Sequence, residues 1–140
     1  MSVRLSPYTS SPGPNRVTAG PTAAGVASYR LSDGLITTLL PPGTAFEYGH
    51  TAGHAINRPG WVYLTSYDSV ATAGRVGFDQ IVAVKTDGSG TVEVFGFANN
   101  ATNGGTYAAQ PHGSPSRDGK RVMVASAWGA SNVYAYIFSA

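Results

Sequence analysis

The chain contains no cysteine, which excludes disulfide staples and thiolate-bound metals and leaves the redox compartment open. Charge is scarce as well. Only 11% of its 140 residues are charged, against roughly 25% in an ordinary soluble domain. The nine basic and seven acidic residues give a net charge of +2 and never cluster. A Lys/Arg patch of the kind that grips phosphate backbones is therefore missing, and nucleic acid is not expected as a partner. No run approaches the ~18 apolar residues of a membrane-spanning helix. Residues 1–14 hold one Arg and no apolar stretch, so they do not read as a signal peptide. Secretion stays open if a leader was removed, and the Gly/Ser/Thr-rich, weakly charged composition leans toward an extracellular setting.

What fills the chain instead is Gly, Pro and small polar residues. Eighteen Gly and nine Pro, with 11% aromatic residues, suit turns and strands rather than helices. The length suffices for one domain with its own core. The principal signal is a pattern that recurs at Ser11–Gly20, Asn57–Ser66 and Ser116–Ser126. Each copy is a tight polar turn leading into an alternating apolar strand. A supersecondary unit returning every ~40–60 residues in an all-β chain is what a blade-repeat architecture looks like.

Read outward from these turns, the domain 1–140 divides into blade-like sections of about 1–42, 43–98 and 105–140. In the first, strands are expected at Arg16–Ala19, Gly25–Leu31 and Leu35–Leu40, with Asp33-Gly34 as a hairpin turn and Pro41-Pro42 as a stop. In the second, an extended Ala45–Ile56 precedes strands at Trp61–Tyr67, Gln80–Lys85 and Thr91–Phe97, a four-stranded meander. In the third, an extended Tyr107–Gly113 precedes strands at Arg121–Ala127 and Asn132–Ser139. Val133, Ala135 and Ile137 alternate with Tyr134, Tyr136 and Phe138, so both faces are apolar and the strand is expected to be buried. A fourth strand is missing there. An unpaired apolar strand is a liability, so its partner is expected to be the segment Ser2–Leu5, which holds Val3 and Leu5, from this chain or from a neighbouring copy. Homo-oligomerisation follows, with Val3, Leu5, Val133, Tyr134, Ala135, Tyr136 and Ile137 as assembly edges; the alternative is a piece of a longer protein.

The stretch Gln110–Ser126, with its Ser-Pro, Asp-Gly-Lys and apolar strand, resembles the TolB-type β-propeller blade, and the stretch Gly49–Tyr63 resembles a degenerate blade entry. The resemblance implies a partial propeller of about three blades, completed by oligomerisation. Oligogalacturonate lyases with similar blades carry His and Gln on inner strands, where they hold a divalent metal. Gln110 and His112 resemble that site, and the resemblance implies a metal-dependent uronate lyase as one reading.

From the residues themselves, His50, His54 and His112 are the only histidines, all at the start of a section. Imidazole suits zinc and similar metals, yet His50 and His54 on a straight strand would lie about 13 Å apart. The alternative is that they hydrogen-bond the wall they sit in. Glu47 and Asp79 are the best proton-transfer candidates, but no carboxylate pair or Gly-x-Ser-x-Gly elbow is present. Arg58 and Arg117 occupy matching turns, either to clamp a carboxylate or sugar, or to face solvent as turn residues or pack on aromatics. With so few ionisable groups, the expected function is a non-catalytic structural or binding module that self-assembles and needs no cofactor. The alternatives are the lyase, with a divalent metal on His50, His54, Gln110 and His112, and carbohydrate binding through exposed aromatics.

Overall fold

The computed structural model describes residues 15–18 (backbone), 25–67, 72–100, 110–128 and 132–140. They form an all-β chain of three antiparallel sheets. The first holds β1 (Asn15–Thr18), β2 (Val26–Arg30) and β3 (Ile36–Leu40) in sequential order. Its hairpin closes where Gly34 takes a φ of +76° and donates to the Arg30 carbonyl, with Asp33 accepting from the Leu35 N–H. The second is the expected meander of β4 (His50–Ala52), β5 (Trp61–Thr65), β6 (Gln80–Lys85) and β7 (Val92–Phe97). The third holds β8 (Ser114–Pro115), β9 (Arg121–Ser126) and β10 (Tyr134–Ser139). The recurring turn-plus-strand pattern leads into β1, β5 and β9.

The registers of neighbouring sheets match. Val62 pairs with Val84 and Tyr63 with Ala83, as Val122 pairs with Phe138 and Met123 with Ile137. In the other direction, β2–β3 carries a bulge between Val26 and Ala27, as β6–β7 carries one between Ile81 and Val82. Setting the bulges in line puts Ser28–Thr37 at the place of Ala83–Glu93, and Tyr29–Ile36 at the place of Val84–Val92.

Because side chains alternate across a strand, the four-stranded sheet has two apolar faces, and each is covered over β5 and β6, while Val92 and Val94 of β7 stay exposed. Val62, Leu64, Val82 and Val84 pack with Val26, Leu39, Leu40 and Phe46 toward the first sheet. Tyr63, Ile81, Ala83 and Phe95 pack with Val122 and Val124 toward the third. Phe138 lies where any side chain on Gly96 would stand. The middle sheet is therefore the centre of the core, and each fully buried branched side chain contributes about 1.5–3 kcal/mol by leaving water.

Three expectations change. Residues Ala45–Tyr48 form a 3-10 turn rather than extended chain. Phe46 buries against the first core while Glu47 turns back to accept the Gly43 N–H at 2.8 Å. The last strand is not buried. Tyr134 and Ala135 are exposed and Ile137 is 67% exposed, because β10 pairs with β9 alone among the described residues and only its Tyr136–Phe138 side meets the middle sheet. Finally, His54 lies beyond the end of β4, so it does not share a strand face with His50. Val3 and Leu5 lie outside the described residues.

Candidate functional site

Two strand starts meet at one place. His50 opens β4 opposite Thr65. Continuing the β8–β9 register by two residues sets His112 opposite Ala125, so the two histidines hold the same position in adjacent sheets. Gly49, just before His50, has no Cβ, and one would overlap the Thr65 carbonyl. Thr65 then ties the two segments together. Its Oγ1 donates to the Pro111 carbonyl at 2.6 Å and accepts from the Gly113 N–H at 3.4 Å. Gly113 permits this approach, since a side chain there would strike Thr65.

The result is a cluster of His50, Gln110 and His112. The His50 Nε2–H donates to the Gln110 Oε1 at 2.9 Å. The rings of His50 and His112 lie 3.9 Å apart between centroids, and the Tyr67 ring is 5.8 Å from His50. Burial first, and the neighbouring His112 second, hold the His50 imidazole below its usual value, while the Gln110 bond opposes them. A neutral imidazole keeps a nitrogen lone pair, the form that ligates metals. Two imidazoles and an amide oxygen are donors suited to a borderline divalent metal such as zinc. His54 stands apart, with Nε2 3.1 Å from the Ser114 Oγ. Among the described residues no three His, Asp or Glu side chains gather as a metal site.

Arg58 and Arg117 have different surroundings despite their matching turns. Arg58 forms an ion pair with Glu93, donates to the Tyr63 hydroxyl at 3.2 Å and to the Gly119 carbonyl at 3.1 Å, and lies 4.0 Å above the Trp61 ring. Burial pulls its pKa down, but the bonds to Glu93 and Tyr63 outweigh that and hold the guanidinium above its usual value. Tyr63 in turn donates to the Gly119 carbonyl at 2.7 Å. Its hydroxyl is pushed up chiefly by burial. This network uses the Arg58 fork inside the chain. Arg117 is exposed, and its carbonyl accepts the Asn57 N–H at 2.9 Å.

The two proton-transfer candidates also have structural partners. Glu47 accepts from Arg75 at 3.2 Å. Asp79 is buried with a φ of +55°, and its carboxylate faces the Asn100 N–H at 3.3 Å. Among the aromatics, Tyr63 is core, whereas Trp128 is half-exposed with its ring 5.1 Å from Tyr136. Glu93 is the functional neighbour that sequence reading missed. A lone acid on an alternating strand carries no sign that its partner stands 35 residues away.

No protein-family model, curated protein or solved structure matches this chain. No described helix is long and apolar enough to cross a membrane.

Proposed function

We propose that the protein is a non-catalytic structural or binding module, built of propeller-type blades, that self-assembles into a ring or filament. The observation that carries this reading is β10. It is a six-residue apolar strand, bonded on one edge only among the described residues, with Tyr134 and Ile137 in solvent. Such an edge is a template for another chain. Light scattering after size exclusion tests it. A discrete multiple of 14.4 kDa supports a closed assembly, a very large polydisperse species supports a filament, and a clean monomer refutes self-assembly.

The His50–Gln110–His112 cluster favours a second reading, a metal-dependent uronate lyase or a carbohydrate-binding remnant of one. These three side chains would hold a divalent metal, which would supply acidity to the proton beside a uronate carboxylate. Arg58, already paired with Glu93, or Arg117 would neutralise that carboxylate. His112→Ala should abolish zinc uptake measured by titration calorimetry; uptake equal to that of the unaltered chain, or none in either, removes the metal.

A further inference from the structure

The matching registers of the three sheets identify which surface is equivalent to which. Among the described residues one kind of contact is made twice. The first sheet presents Val26 and Leu39 to Val62, Leu64, Val82 and Val84 of the second. The second presents Tyr63, Ile81 and Ala83 to Val122 and Val124 of the third. Each contact joins the forward face of one sheet to the rearward face of the next.

Two halves of that contact are left over among the described residues. The forward face of the third sheet carries Met123, Ala125, Ala135 and Ile137, in the positions that Tyr63, Thr65, Ile81 and Ala83 hold in the second. Tyr63, Ile81 and Ala83 are buried, whereas Met123 is 49% exposed. The rearward face of the first sheet carries Ala27, Tyr29, Ile36 and Thr38, in the positions of Val82, Val84, Val92 and Val94. Val84 is fully buried, whereas Tyr29 is 42% exposed. Ala27 is 5% exposed, and Val92 and Val94, the counterparts of Ile36 and Thr38, are themselves 40% and 52% exposed. The uncovered part of this face therefore centres on Tyr29. Leu31 and Leu35 extend that apolar surface at the hairpin. None of the eight positions is charged; Arg121 shares the face of Met123 at the start of β9, and Arg16 is the register partner of Tyr29.

We infer that the partner of each face is a second copy of this chain, with the Met123–Ile137 face of one copy seated on the Tyr29–Ile36 face of the next. The inference rests on the self-assembly reading and adds which surfaces meet and in which sense. The two faces differ, so the contact is head-to-tail and propagates around a ring or along a fibre. A symmetric alternative, Met123–Ile137 against itself, has no counterpart among the contacts inside the chain.

Ile137→Arg and Tyr29→Arg, each on the full chain, test the pairing by light scattering, with circular dichroism to check that both fold. Each variant keeps one working face, so each alone should be a monomer. Mixed in equal amounts they should give a two-chain species, because the intact face of one fits the intact face of the other. If the unaltered chain assembles and both variants assemble just as well, these faces are wrong while self-assembly stands. If either variant alone forms a dimer, the contact is symmetric and the head-to-tail pairing fails. If the unaltered chain is monomeric, the pairing and the self-assembly reading fall together.

Discussion

β6 and β10 occupy equivalent places in adjacent sheets, each paired to the strand that follows the recurring turn, yet their surroundings are opposite. Ile81, Val82, Ala83 and Val84 are all fully buried. In β10 only Tyr136 and Phe138 are half-covered, and the alternate residues face solvent. Both strands read as apolar on both faces, and the pattern alone cannot tell them apart. Apolar alternation reports that a strand is fit to be covered. Whether its own chain supplies the cover is a matter of where the strand stands in the stack.

The contrast can be broken most forcefully in β6. Ile81→Ala should cost about 2–5 kcal/mol in urea unfolding, as buried truncations do, while Ile137→Ala should cost within about 0.5 kcal/mol in dilute solution. An equal cost for the two would mean that β10 is covered after all. Next in size is Gly119→Ala. Gly119 has a φ of +70°, and an added Cβ would overlap the Tyr63 hydroxyl and Arg58. The combined backbone strain and overlap should cost about 2–3 kcal/mol in thermal unfolding; a neutral result would show the seam between the second and third sheets to be slack.

A milder test of the same seam is Tyr63→Phe, which deletes the hydroxyl that bonds the Gly119 carbonyl while keeping the ring. It should cost about 1–1.5 kcal/mol, with the loss absent in a Gly119→Ala background if both act through this contact. The smallest effect is one of pH. The unfolded chain takes up the His50 proton near its ordinary value of 6.5, whereas the folded chain, with that group held lower, resists. Stability from this group is therefore complete above 6.5 and declines as pH falls, levelling once the folded imidazole is protonated too. His50→Gln should flatten that decline, and an identical pH slope in the variant would assign it elsewhere.

The turns and central strands were legible because their signals are local. Asp33-Gly34 and Asp87-Gly88 sit between alternating runs, and the structure bends at both. The 3-10 turn at Ala45–Tyr48 was not, because what stabilises it is Phe46 entering the first core and Glu47 reaching Arg75, 28 residues on. The meeting of His50 with Gln110 and His112 was half-legible. Their placement at strand starts followed from the repeated turn, but the exclusion of His54 depended on where β4 ends. Exposure of β10 was hidden for the reason given by β6.

Two hydrogen bonds described above have a mechanical consequence. Asn57 donates to the carbonyl of Arg117, and Tyr63 to the carbonyl of Gly119. The first clamps the turn before β5, and the second β5 itself, to the turn before β9, so they set the pitch from the second sheet to the third as the teeth of a gear set its step. In the proposed head-to-tail assembly, that internal step and the contact between copies would together set the curvature. Asn57 and Tyr63 would thus help decide how many copies are needed to come full circle.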